Sequence, residues 1–163
     1  MDRIGDMPSH PLLVHVPVVL VPVALIALVA LVVRPRWQRP FGPVVAIVAF
    51  VGFLGALLAT HSGEALEEQF ESTGMDLTRA IHDHAEMGDQ VPWFVGVFFV
   101  LVLAWVLVAR RRARGDAEAP SIPKAVVAAL LALSVVAGVV ATVSVVRTGH
   151  SGASSVWEED EEP

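Results

Sequence analysis

Four stretches of the chain are almost free of charged residues, Leu12 to Val33, Val44 to Thr60, Val91 to Ala109 and Ala125 to Val146, and the charges crowd between and beyond them. Each stretch is close to the ~20 residues that cross about 30 Å of hydrocarbon as a helix. The pattern predicts an all-α integral membrane protein: four transmembrane helices at 12–33, 44–60, 91–109 and 125–146, paired as two hairpins in one bundle. Residues 1–163 then form a single membrane domain, with a helical segment at 61–90 and an acidic, disordered tail at 153–163. Pro17 and Pro22 fall inside the first span, where a packed helix is expected to bend without breaking.

Composition agrees with the pattern. Apolar residues make up 55% of the 163 positions and the mean hydropathy is +0.64, too apolar for a water-soluble domain of this size. The leader "MDRIGDMPSH" is not cationic and the first run is followed by "RPRWQR", so that run reads as a retained span and not as a cleaved signal. Cysteine is absent, which removes disulfides and thiolate ligands.

Charge sets the expected orientation. The connections after the first and third spans hold Arg34, Arg36, Arg39, Arg110, Arg111, Arg112, Arg114 and Lys124 against only Asp116 and Glu118. Short basic loops stay in the cytoplasm, so both termini are expected on the outer side of a multi-pass membrane protein. The net charge of −6 averages an acidic outer face, unsuited to nucleic acid, and a basic inner face suited to anionic lipid. Trp37, Trp93 and Trp157 lie beside span ends and Trp105 approaches the inner one, as interfacial rings do.

Within the outer segment, "GEALEEQFE" is expected to continue the second helix, "STG" to interrupt it, and "MDLTRAIHDHAEMGDQ" to begin again with Asp76 as N-cap. Gly52, Ala56 and Thr60 recur every four positions on the second span, as do Ser134, Gly138 and Thr142 on the fourth, which suits close helix packing. A weak repeat accompanies the hairpins. "THSGEA" resembles "GHSGAS", and "HPLLVHVP" has a looser echo in "HDHAEMGDQVP", which suggests a parallel internal duplication.

All six histidines, His10, His15, His61, His82, His84 and His150, fall on the expected outer side. Imidazole binds zinc, copper, nickel or haem iron through one nitrogen while a partner orients the other. Carboxylates stand at suitable spacing as ligands or orienting partners: Glu64 and Glu68 follow His61 at i+3 and i+7, and Glu86 follows His82 at i+4. His15 sits a turn or so inside the membrane edge, where an unpaired polar ring is costly. Pro11 is expected at the first helical position with His10 as a cap. Met7, Met75 and Met87 add thioethers of the kind copper accepts. There is no H-E-x-x-H pattern, no phosphate loop and no G-x-S-x-G elbow, and nothing marks the chain as an enzyme in isolation.

"HPLLVHVPVVL", "HAEMGD" and "RTGHSGASSVW" resemble an uncharacterised family of small bacterial membrane proteins, the "twenty-two thirty-one" domain of unknown function, over essentially the whole chain. The family signature reads His-Pro-x-x-Val-His-Phe-Pro, then a His-Ala element, then a closing Arg-x-Gly stretch beside a histidine. It matches at His10, His15, His84 and His150, with Val16 in place of the usual phenylalanine. The resemblance implies four spans, an outward histidine cluster and an association with redox domains.

Three functions follow as expectations. The first is a bundle holding haem b, or a metal ion, at its outer end for membrane redox chemistry, with His15 and His84 as the ligand pair and His61 and His150 as the alternative. The second is copper or zinc binding by His82 with the other histidines, glutamates and methionines. The third is a non-catalytic membrane subunit with no cofactor, whose acidic face docks a redox partner or membrane complex.

Overall fold

The computed structural model describes residues 3–4, 7–74, 78–115 and 122–157. A two-residue antiparallel pairing of Arg3–Ile4 (β1) with Met7–Pro8 (β2) precedes α1 (His10–Leu13) and α2 (His15–Val33). A 3-10 turn at Pro35–Trp37 leads into α3 (Gln38–Ser72), followed by α4 (Arg79–Arg114) and α5 (Lys124–Trp157). The α1–α2 pair and the single helices α3, α4 and α5 are each long and apolar enough to cross a membrane.

Proline explains the interruption near the N-terminus. Pro17 has no N–H for the carbonyl of Leu13, four residues back, and the helix breaks at Val14 between α1 and α2. The expected bend is thus a short break, whereas Pro22 is carried within α2. Ser9, not His10, is the N-cap of α1, which leaves the His10 ring for another use.

Two helices outrun the bilayer. α3 has 35 residues and α4 has 36, about 52 and 54 Å at 1.5 Å per residue, so each extends well past a ~30 Å hydrocarbon layer. The extension of α3 continues "GEALEEQFE" to Ser72, and Gly74 turns the chain at φ +72°. α4 is capped by Thr78, whose hydroxyl accepts from the Ile81 N–H. The expected cap, Asp76, lies outside the described residues. α5 runs on to Trp157, past the point where a disordered tail was expected; 158–163 lie outside the described residues.

α2 and α4 each pack against both α3 and α5, so the four long helices close a ring. Its inside mixes small and large residues: Ala24, Ala49, Ala56 and Ala141 are buried beside Leu28, Phe98 and Trp105, while Ile26, Ile47, Val100 and Val136 face outward. That arrangement suits lipid, where large apolar side chains lose nothing by exposure and close helix approach supplies the packing. A Cβ at Gly55 would stand 2.4 Å from Val16 Cγ1, and one at Gly138 2.8 Å from Phe98 Cε2. Ser134 is buried in the same stripe, its hydroxyl donating to the Leu130 carbonyl. Trp105, expected at the interface, is instead buried against Gly42.

The duplication is legible in the register of the buried positions. Pro17, Val21, Ala24, Leu28 and Leu31 of α2 correspond, each 74 positions on, to Val91, Val95, Phe98, Val102 and Trp105 of α4, and all ten are buried. Val45, Ala49, Gly52 and Ala56 of α3 correspond, each 89 positions on, to Ser134, Gly138, Ala141 and Val145 of α5, again all buried. The two hairpins therefore share one spacing of buried positions.

Candidate functional site: a pair of imidazoles where the two repeats meet

The same offsets extend past the membrane-spanning windows to the histidines. His10 on α1 and His84 on α4 are 74 positions apart, and their rings meet edge to face with centroids 6.3 Å apart and planes at 78°. Ser62 and Ser151, 89 positions apart, each hold one of them. His10 Nδ1 lies 3.2 Å from Ser62 Oγ, and His84 Nδ1 lies 3.0 Å from Ser151 Oγ.

Hydrogen-bond direction fixes the tautomer. His10 Nδ1 is 3.0 Å from the Ala59 carbonyl, which only accepts, so Nδ1 carries the proton. The Ser62 hydroxyl donates to that same carbonyl at 2.8 Å and so accepts from the ring. His84 repeats the arrangement: the Ser151 hydroxyl donates to the Thr148 carbonyl at 2.9 Å and so accepts from the His84 Nδ1–H. In the neutral state both Nε2 atoms therefore keep their lone pairs, and neither has a hydrogen-bond partner among the described residues. Neither serine is activated as a nucleophile, because the nitrogen facing it is a donor and not a base.

Glycine lets the helices approach the rings. A Cβ at Gly63 would stand 3.1 Å from His10 Cε1, and one at Gly152 2.7 Å from His84 Cε1. Thus "HSG" contributes its serine as an anchor and its glycine as a seat, on both α3 and α5. His84 lies in the first turns of α4, among Asp83, Glu86 and Asp89 and before the apolar window that starts at Val91. Its pKa is lowered from 6.5, first by burial and then by the neighbouring His10, with the Thr148 carbonyl acting in the opposite sense.

The other expected residues lie elsewhere. The expected pairing of His15 with His84 is replaced by His10 with His84. His15 is exposed, and its Nδ1–H donates to the Pro11 carbonyl of α1 at 2.6 Å. His61 is 83% exposed and faces Glu64 at 3.4 Å. His150 is exposed, and nothing joins it to His61 among the described residues. His82 meets Glu67 of α3 at 3.5 Å, a partner the spacing did not suggest, while Glu68 and Glu86 are exposed. Among the described residues no three histidine, aspartate or glutamate side chains are arranged around a metal-sized point.

Ser62, Gly63, Ser151 and Gly152 were not expected as site residues. A signal for them existed. The buried stripe Gly52, Ala56, Ala59 continues to Ser62 and not to His61.

No curated protein and no solved structure matches the chain. The sequence profile of one family, described as a predicted membrane protein, matches residues 6–160, a range that contains both histidines and both serines of the pair. The chain belongs to that family, Predicted membrane protein (DUF2231).

Proposed function

We propose that this membrane protein binds a metal ion between His10 and His84 and serves redox chemistry at the extracytoplasmic face of the bacterial cell membrane. The observation that carries the reading is the pair of imidazoles, each anchored through Nδ1 and with no hydrogen-bond partner for Nε2 among the described residues. Ligating histidines commonly donate the other ring N–H to a carbonyl or similar partner, which fixes the ring and raises its basicity. Both rings here have that partner, His10 in the Ala59 carbonyl and the Ser62 hydroxyl, His84 in the Ser151 hydroxyl. The basic connections at the opposite end of the bundle support the orientation.

Haem b asks more of the same residues. Bis-imidazole ligation suits two rings from different hairpins, yet a macrocycle needs a flat slot across the ligand axis. A Cβ at Gly152 would stand only 3.0 Å from His84 Nε2, so α5 leaves little room for a macrocycle beside that ring.

The experiment is metal analysis and an absorption spectrum of protein purified without affinity metals, for the wild type and for His10→Ala, His84→Ala and His15→Ala. The expected result is uptake of one metal ion per chain by the wild type and by His15→Ala, with loss in the other two and no Soret band. Equal uptake by all four proteins would remove the pair as the site.

A further inference from the structure

We infer that the seam between α3 and α4 holds an anionic phospholipid, with its phosphate between Arg39 and Arg110 and its acyl chains along the apolar surface that leads to them. The site lies at the opposite end of the bundle from His10 and His84 and stands or falls apart from the metal reading.

Helix register places the two arginines. Phe50 of α3 and Phe99 of α4 meet with ring centroids 5.2 Å apart. Toward the basic connections, Arg39 stands eleven residues from Phe50 and Arg110 eleven residues from Phe99. Eleven residues make three turns of an α-helix to within about 20°, so each arginine leaves its helix on the same side as the ring it follows. The helices remain in contact over that interval, and a Cβ at Gly42, past Pro43, would stand 3.5 Å from Trp105 and from Val106. Arg39 and Arg110 therefore end the same seam at one level, just beyond the apolar stretches bounded by Val44 and Ala109.

Charge at this level calls for an anion. The two basic connections carry Arg34, Arg36, Arg39, Arg110, Arg111, Arg112, Arg114 and Lys124 against Asp116 and Glu118, so most of the cations stay unneutralised even with both acids paired. Arg112 donates to the Ile122 carbonyl, and the Arg34 guanidinium lies 5.2 Å over the Trp37 ring. Arg39 and Arg110 are exposed. Arg39 also falls in the first turn of α3, which contains no acidic residue; a helix start favours negative charge and disfavours a cation. A phosphate accepts hydrogen bonds from both guanidinium groups and relieves their repulsion.

The surroundings select a lipid over a soluble anion. Leu103 and Leu107 precede Arg110 by seven and three residues on one face of α4, and both are exposed, as is Phe50 across the seam. A molecule with phosphate at the head-group level and hydrocarbon below it covers arginine and leucine together. A lipid with net negative charge is favoured over a zwitterionic one, whose own ammonium offsets its phosphate.

The test is retention of lipid in competition. Purified protein is equilibrated in detergent with equal amounts of phosphatidylglycerol and phosphatidylcholine, and native mass spectrometry counts the lipid that stays bound. The expected outcome is preferential retention of one phosphatidylglycerol per chain, reduced about fivefold in Arg39→Gln and again in Arg110→Gln, since one such charge contributes about 1 kcal/mol. Arg147→Gln, at the far end of α5, should retain the lipid as the wild type does. Equal retention of the two lipids, or unchanged retention in both the Arg39 and Arg110 variants, would overturn the site. An equal loss in Arg147→Gln would reduce it to an effect of net charge and overturn it as well. Displacement of the lipid by inorganic phosphate at matched concentration would assign the arginines to the free anion and overturn the lipid. Circular dichroism of each variant separates lost binding from lost folding.

Discussion

Gly152 lies so close against the imidazole of His84 that a Cβ in its place would stand 2.7 Å from Cε1 and 3.0 Å from Nε2. The ring cannot stay where it is once the glycine is substituted. Gly152→Ala is therefore expected to displace His84, break its hydrogen bond to Ser151 and weaken metal retention at least tenfold. The helix itself should not suffer, since alanine exceeds glycine in helix propensity by about 0.8–1.0 kcal/mol. Metal titration and far-UV circular dichroism of the same sample check both halves. Gly63→Ala, where the corresponding distance is 3.1 Å, should show a smaller loss.

The two serines act on the metal only through the rings they orient. Ser62→Ala leaves His10 with the Ala59 carbonyl, whereas Ser151→Ala leaves His84 beside the Thr148 carbonyl, which favours its charged form. Loss of such an orienting partner typically lowers metal affinity by about 10–100-fold. Each single variant is expected near the lower end of that range, and the double variant well beyond it. Competition titrations of the three proteins provide the comparison. Equal affinities across the series would mean that the carbonyls alone fix the tautomer.

What could be read from residue order was what depends on local pattern. The four helices follow from runs such as Val91 to Ala109, whose length and apolarity admit little else in a membrane. The small-residue stripe at Gly52 and Ala56 was legible in its spacing, and Val21 approaches it at Gly52. The pairing of the histidines was not, because it depends on rotation about the helix axis. His15 follows His10 by five residues, which on an α-helix is a turn of about 140°, and only His10 stands in the register that leads to Val21 and, 74 positions on, to His84 and Val95. The same holds for "HSG". The histidine draws attention, but the next residue, about 100° round the helix, is the one that faces inward.

Acidification should destabilise the metal-free protein through His84. Its folded pKa lies below the ordinary 6.5 because burial, and then His10, oppose the charged form. Above about pH 6.5 the ring is neutral in both folded and unfolded chains, and its contribution to stability is fully present. As the pH falls below that value the unfolded chain binds the proton first, so stability declines until the pH passes the folded pKa, where the loss is complete. Thermal unfolding in detergent across this window should show the decline in the wild type, and a flatter profile in His84→Gln. Parallel profiles for the two proteins would show that His84 titrates alike in both states.

Helix contact within the ring can be tested away from the site by two glycines of opposite surroundings. A Cβ at Gly55 would stand 2.4 Å from Cγ1 and 2.8 Å from Cβ of Val16, so α2 and α3 would have to separate to admit it. Overpacking of this kind costs about 1–3 kcal/mol, and Gly55→Ala is expected to lower the unfolding temperature in detergent. A Cβ at Gly88 meets nothing within 4 Å, and there alanine gains only the helix-propensity term of about 0.8–1.0 kcal/mol. Gly88→Ala should therefore be at least as stable as the wild type, with its carbonyl still accepting from the Thr60 hydroxyl. The comparison isolates close approach from propensity, because both substitutions make the same chemical change in a helix. A destabilised Gly88→Ala beside a neutral Gly55→Ala would contradict the packing of α2 on α3, and with it the ring that brings His10 to His84.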